Sequence, residues 1–307
     1  MNIISIVTPS FNQEKYIGET IKSVFSQTGN FYIDYIIQDG GSKDGSVNII
    51  KKYENYLIKN FKTKKIKGIT FYFDQSRQII KNNGISFRWE SKHDGGQVQG
   101  IKTGFEKSVG NVLHWLNSDD VLYEHNSIEK VMRIFTNNSK LKIVFGDGYI
   151  IDKNGKKTGT WKVKEINYLE NLYLDYHILQ PSSFIKRSIY TPNLLQEKFV
   201  CALDAYFFIT IINRGHQFYK TNEVLSEYRM YPEIKTISLN NKRYWEQFEI
   251  ARIYSNNLFY LLISFIYRYF EIILRPKVNN KVFQSFFTQF RKFCYLIITG
   301  KTDRIYE

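Results

Sequence analysis

Short apolar, β-branched runs alternate with segments of helical periodicity over roughly the first half of the chain. Ile3 to Thr8 reads as a strand, Tyr16 to Gln27 as a helix, Tyr35 to Gln38 as a strand and Ser46 to Lys59 as a helix. Ile69 to Phe73 and Ser86 to Trp89 follow as strands, Gln97 to Val109 as a helix, Val112 to Leu116 as a strand and Ile128 to Phe135 as a helix. Such alternation predicts an α/β fold: βαβ units in a Rossmann-like, mainly parallel sheet flanked by helices. The polar, basic stretch from Lys59 to Lys67 reads as a solvated loop.

The pattern is mixed from Ile143 to Arg229. Strands are expected at Ile143 to Phe145, Tyr149 to Ile151, Ser183 to Lys186 and Val224 to Tyr228, with a helix from Ala205 to Asn213. This half should supply the second wall of any site. Beyond Asn240 no strand is expected, and Tyr244 to Leu274 and Val282 to Ile298 read as aromatic-rich helices separated at Pro276. One boundary near Leu239 therefore divides an α/β domain, 1–239, from a helical extension, 240–307. The run Leu258 to Leu274 is strongly apolar, but Arg268 and Glu271 interrupt it, and it falls short of the roughly 20 apolar residues of a spanning helix. The basic, aromatic character of the tail suits either an anionic membrane surface or homo-oligomer contact through its helices.

Composition narrows the classes. With 307 residues, 43% of them hydrophobic, the chain can bury a sizeable core and is globular rather than disordered. Its two cysteines, Cys201 and Cys294, are far apart in sequence and imply neither a disulfide framework nor a thiolate metal site. No basic region with a long apolar core precedes Pro9, so a cytoplasmic protein is expected, peripheral on the inner face of the membrane if the tail binds lipid. The net charge of +14 points to polyanionic partners, but no nucleic-acid-binding signature accompanies it, and nucleic acid is not an expected partner.

The chemistry gathers where strands end. Thr8-Pro9-Ser10-Phe11-Asn12, Asp39-Gly40-Gly41-Ser42, Asp94-Gly95-Gly96-Gln97 and Asn117-Ser118-Asp119-Asp120 each follow a strand-like run. Ligands of open α/β sheets bind outside the carboxyl ends of the strands, so these segments could face one ligand. Asp39, Asp94, Asp119 and Asp120 together would make an acidic pocket, unsuited to a phosphate unless a divalent cation bridges it. Mg²⁺ or Mn²⁺ held by one or two carboxylates together with a nucleoside diphosphate meets that requirement. Neither glycine-rich loop matches the dinucleotide-binding pattern or the P-loop. His93, His114, Trp89 and Trp115 are expected to be ordinary structural residues.

Taken in order, T-P-S-F-N-Q at Thr8 to Gln13, Q-D-G-G-S-K-D-G-S at Gln38 to Ser46, H-D-G-G-Q at His93 to Gln97, W-L-N-S-D-D at Trp115 to Asp120 and Q-P-S-S-F at Gln180 to Phe184 resemble the family 2 glycosyltransferases of the GT-A fold, over about the first 230 residues. The resemblance implies an inverting transfer of a sugar from a nucleotide sugar, usually a UDP-sugar, to an acceptor hydroxyl, with a glycan or lipid-linked acceptor in surface polysaccharide synthesis. It places Thr8, Pro9, Asp39 and Asp94 at the nucleotide, Asp39 on the base. Asp120 falls at the cation with Asp119 nearer the ribose, Gln180, Pro181, Ser182 and Ser183 on the acceptor side, and Asp204 as general base; Asp204 could instead cap its helix. Arg229 matches a diphosphate contact, while Tyr231 stands at or near a place where relatives often carry a His. Two alternatives remain: an inactive nucleotide- or glycan-binding module, and a nucleotidyltransferase on a related fold.

Overall fold

Strand β1 (Ile3–Ser10) is buried at every position, as befits an interior strand covered on both faces. The structure, a computed structural model, describes residues 2–76, 78–234, 239–273 and 281–301. The chain forms two units: Met1–Val163 with Leu179–Leu195 and His216–Tyr231, and Lys164–Ile178 with Gln196–Gly215 and Pro232–Glu307.

In the first unit β2 (Tyr32–Asp39) and β6 (Val112–Trp115) flank β1, and β5 (Gly84–Ser91) lies beyond β2, all four parallel. The hairpin of β3 (Lys62–Ile66) and β4 (Ile69–Phe73) extends this side. On the other side come β10 (Ser183–Lys186), β8 (Ile143–Ile151), β11 (Phe218–Arg229) and the short β7 (Val121–Leu122), with β9 (Lys157–Trp161) paired to β8. The sheet is mixed, because β10 runs antiparallel to both of its neighbours. The apolar faces of α1 (Ile17–Phe25), α2 (Ser46–Asn60) and α4 (Ser127–Asn137) supply Ile17, Ile21, Val24, Ile50, Leu57 and Val131 to a core with Ile4, Ile6, Ile33, Tyr35 and Ile37. Helix α3 (Gln97–Lys107) approaches β1 so closely that a Cβ at Gly104 would lie 2.3 Å from Cγ1 of Val7.

The alternating pattern located every strand and helix of the first half except β3 and the two-residue β7. Lys59 to Lys67 is not a loop: Ile66 pairs with Ile69 across Lys67 and Gly68, both at positive φ, the signature of a two-residue type I′ hairpin turn. Ile143 to Ile151 is one strand rather than two.

The second unit is helical: α5 (Tyr168–Tyr173), α6 (Leu203–Asn213), α7 (Asn240–Tyr254), α8 (Leu258–Ile273) and α9 (Lys281–Thr299). The expected continuous helix from Tyr244 to Leu274 is broken where the Asn257 Oδ1 accepts the backbone N–H groups of Phe259 and Tyr260; the break expected at Pro276 lies outside the described residues. Residues 164–178 and 196–215 group with the tail, because Leu172, Phe199, Ala205 and Ile209 share one apolar cluster with Ile250, Ile263, Tyr267 and Tyr295. An ionic cluster accompanies these apolar groups. Arg291 lies 2.5 Å from Asp175, whose Oδ2 also accepts from the hydroxyls of Tyr267 at 2.6 Å and Tyr295 at 2.9 Å. Burial opposes ionisation of Asp175, yet Arg291, His177 and these hydroxyls hold its carboxyl down to about 2.

A carboxyl depressed in the folded state stabilises above its unfolded value, near 4, and that contribution is lost as pH falls towards 2. Asp175→Asn should therefore cost about 2 kcal/mol at neutral pH and much less near pH 2, as read by urea unfolding across that range.

Candidate active site

Parallel pairing of β1 with β2 on one side and β6 on the other makes their carboxyl ends a topological switch point, where the crevice of an open α/β sheet lies. Ser10, Asp39 and Ser91 stand in register at the ends of β1, β2 and β5. The loops beyond are bound to each other: the N–H groups of Asn12, Gln13 and Glu14 donate to Ser42 Oγ, Ser46 Oγ and Asp44 Oδ2, at 2.8, 2.8 and 3.0 Å. The N–H of Lys43 returns a bond to Asn12 Oδ1 at 2.9 Å, and Asn12 holds positive φ to make it.

Asp39 organises this region. Its carboxylate accepts from the N–H groups of Gly41 and Ser42 and from the hydroxyls of Ser42 and Ser91, between 2.5 and 3.2 Å. Thr8 shares a hydrogen bond of 3.2 Å with the Tyr35 hydroxyl inside the core. Asp94 accepts from the N–H of Gly96 at 2.9 Å, and Gly40 and Gly100 leave room for its carboxylate, since a Cβ on either would approach it within 3.2 Å.

The acidic pair is held from three sides. Asp120 is buried, and its Oδ1 accepts the backbone N–H of Arg229 at 3.0 Å. Asn117 Nδ2 reaches both Asp120 Oδ2 at 3.3 Å and Gln180 Oε1 at 3.1 Å, while Asn117 Oδ1 accepts from Trp115 and Gln97. Asp119 accepts from the Tyr231 hydroxyl at 2.9 Å. Burial first, and then the charge of Asp119, pushes the Asp120 carboxyl well above the usual carboxylate range. A divalent cation would relieve both causes, so the two carboxylates fit Mg²⁺ or Mn²⁺ shared with substrate phosphates. Among the described residues no group of three or more His, Cys, Asp or Glu side chains gathers as a complete protein cage.

Arg229 is fully buried and its donors are directed at the protein. Nε bonds the Asp119 carbonyl at 2.8 Å, Nη1 the Asp152 carbonyl at 3.2 Å and Nη2 the Glu19 carboxylate at 2.5 Å, and the guanidinium lies 4.7 Å from the centre of the Tyr16 ring. The expected diphosphate contact is thus a buried brace behind the acidic pair. Ser182 and Ser183 are also buried, with their hydroxyls on the carbonyls of Asp147 and Leu179, both at 2.7 Å; Pro181 is buried between Gln180 and these serines. Gln180 touches the network of the acidic pair through Asn117. His114, stacked on Phe184 at 4.1 Å and lowered by burial to about 4, is the structural residue the sequence implied.

Asp204 belongs to the second unit, in the first turn of α6. It is not the cap: Ala202 holds that position, and the N–H groups of Val200, Cys201 and Ala202 are taken by the carboxylate of Glu246 at 3.1, 2.7 and 2.9 Å. Burial raises its carboxyl to about 6 against the opposing pull of nearby backbone N–H groups and Arg243. The Tyr176 hydroxyl, buried without a hydrogen-bond partner among the described residues, is raised by burial and then by the charge of Asp204. Sequence reasoning assigned no role to Tyr176, Glu19 or Asn117; only Asn117, inside the W-L-N-S-D-D segment, carried a local signal.

The family model described as glycosyl transferase family 2 matches residues 5–71. The uncharacterized glycosyltransferase MJ1057 of Methanocaldococcus jannaschii is 25% identical over 298 residues, covering 91% of this chain and 92% of its own. The chain is a glycosyltransferase whose residues 5–71 match family 2. Its fold is GT-A. Staphylococcus aureus TarS 1–349 in complex with UDP-GlcNAc aligns at a TM-score of 0.58 and 14% identity, over 99% of this chain and 83% of that one. The mannosyltransferase PcManGT of Pyrobaculum calidifontis, in complex with GDP-Man and Mn²⁺, aligns at 0.54 and 10%, over 97% of this chain and 85% of that one. At these identities the two structures speak for the fold of the glycosyltransferase.

Removing the brace should be felt at the acidic pair. Arg229→Met leaves the half-buried carbonyls of Asp119 and Asp152 without this donor, and should cost about 3 kcal/mol in urea unfolding. The same variant should weaken Mn²⁺-dependent nucleotide binding in calorimetry; wild-type values for both would assign Arg229 no part in holding Asp119 and Asp120.

Proposed function

We propose that this glycosyltransferase inverts the anomeric centre in a single displacement, moving a sugar from a UDP-sugar to a hydroxyl of a glycan or lipid-linked acceptor in surface polysaccharide synthesis. The observation that carries the reading is the pair Asp119 and Asp120, set at the end of β6 beside the end of β1 and held by Asn117, Arg229 and Tyr231. UDP is favoured over other carriers because TarS, bound to UDP-GlcNAc, aligns over 99% of the chain.

In this reading Thr8, Pro9, Asp39 and Asp94 line the nucleotide, with Asp39 keeping the loop it organises in shape for the base. Asp120 would hold Mn²⁺ or Mg²⁺ with Asp119 beside it on the ribose side, and a cation bound there would supply positive charge for a departing diphosphate. Gln180, bonded to Asn117, ties the acceptor-side segment to the acidic pair. Asp204 takes the proton of the acceptor hydroxyl as its oxygen attacks the anomeric carbon. A base is most effective when its pKa lies near the working pH, and a carboxyl raised to about 6 is better placed than an ordinary Asp. Oxygen attacks once and the diphosphate leaves, so no covalent sugar–enzyme bond is needed.

Calorimetric titration with UDP, GDP and dTDP, each with and without Mn²⁺, tests the donor side without knowledge of the acceptor. Metal-dependent binding of UDP is expected, and binding of none of the three overturns the reading. Asp120→Ala should remove the metal dependence. Asp204→Asn should retain UDP binding and lose about 10²- to 10⁴-fold in transfer. Because the base acts deprotonated, kcat/KM in the wild type should fall tenfold per pH unit below about 6 and level off above it. A profile flat through pH 6 would remove Asp204 from that role.

A further inference from the structure

Helix α8 is inverted relative to a surface helix of a water-soluble protein. Its two charged residues, Arg268 and Glu271, are buried: Arg268 bonds Gln247 Oε1 at 2.6 Å and the Leu172 carbonyl at 3.3 Å, and Glu271 meets Arg291 at 3.3 Å and the Tyr244 hydroxyl at 3.2 Å. Its outer side carries Leu258, Leu262, Phe265, Ile266, Tyr269 and Ile273, at the spacing of one helical face. Leu258 is 84% exposed, Leu262 55% and Tyr269 47%, and no charged residue falls among them. Neighbouring helices of the same unit add exposed apolar groups. Trp245 of α7 lies 5.9 Å from Phe265, ring to ring, and α9 exposes Phe286, Phe293 and Leu296. The α8 stripe with Trp245 against it is an apolar patch of the kind that marks an interaction surface.

Charge identifies the occupant. Among the described side chains of α7 to α9, the exposed charges are Lys242, 3.9 Å from the buried Glu246, Arg252, paired at 2.6 Å with the one exposed acid Glu249, and Lys292. Arg252 neighbours the exposed Ile253, Lys292 neighbours Phe293, and Lys242 lies one turn from Trp245. A second copy docked two-fold on this face would set one net-basic surface against another. An anionic leaflet offers apolar chains to the stripe and phosphates to the lysines and arginines. The 16 residues of α8 span about 24 Å, and no helix of the described residues is long and apolar enough to cross a membrane, so the helix would lie in the interface plane.

We propose that the outer face of α7, α8 and α9 docks on an anionic membrane surface, with the α8 stripe at the headgroup–acyl boundary and Trp245 at its edge. This deepens the reading of a lipid-linked acceptor by naming the surface that such an acceptor would share with the enzyme. Its test uses no activity.

The full chain is mixed with phosphatidylcholine vesicles with and without phosphatidylglycerol, and sedimented. Binding to the anionic vesicles, weakened by high salt, is expected, together with quenching of tryptophan emission by lipids brominated near the headgroup. Trp245→Phe should remove most of that quenching and leave sedimentation unchanged. Leu258→Glu with Leu262→Glu, checked for folding by circular dichroism, should lower vesicle partitioning by roughly tenfold or more. Asp120→Ala should bind vesicles like the wild type, so a failure of docking and a failure of the transfer reading are told apart. Wild-type chain that stays in the supernatant with anionic vesicles overturns the proposal. A lipid-independent dimer that the double variant dissolves overturns it in favour of a second copy.

Discussion

The acidic site depends on one buried cation. Arg229, at the end of β11, reaches the Asp119 carbonyl, the Asp152 carbonyl after β8 and the Glu19 carboxylate of α1, while its own N–H meets Asp120. A guanidinium is suited to the task because its donors form a rigid fork and its charge persists in a dry environment. Four segments distant in sequence are thereby fixed around two like-charged carboxylates. Without that brace the repulsion between Asp119 and Asp120 would be free to splay the turn that presents them.

The extent to which the site was legible in the sequence depends on the range of its interactions. Asp39, Asp94, Asp119 and Asp120 each stand at or after the end of a strand, and a local pattern is enough to place them there. The surroundings that set their behaviour arise over long range: Arg229 meets Glu19 across 210 positions, Tyr231 meets Asp119 across 112 and Gln180 meets Asn117 across 63. No window of sequence contains such a pair. For the same reason Arg229 read as a ligand contact and Ser182 and Ser183 as acceptor groups, although burial directs all three to protein partners.

The fold shows the complementary limit. Strands β1, β2, β5 and β6 were legible because burial imposes an apolar run, whereas β3 is exposed at all but its last position and owes its pairing to the turn at Lys67 and Gly68. In the second unit apolar periodicity located the helices but could not indicate which side faces inward. Arg268 and Glu271 read as interruptions of an apolar helix; they are its inner face, where Arg291, Gln247 and Tyr244 meet them. A buried ion network of this kind adds little net stability but tolerates few alternative partners, and so favours one arrangement of the helices.

The hairpin at the start of the sheet has a further consequence. An open sheet ends in two strands with unpaired backbone groups, each a template on which another chain could add. At the two ends of the main strand order, which β9 leaves as a side branch on β8, stand β7, only two residues long, and β3, whose Lys62, Lys64 and Lys65 are exposed. One border is too short to extend and the other is repelled by any copy of itself. Part of the large positive charge of this chain thus stands where it opposes edge-to-edge pairing of β3 rather than at the candidate site.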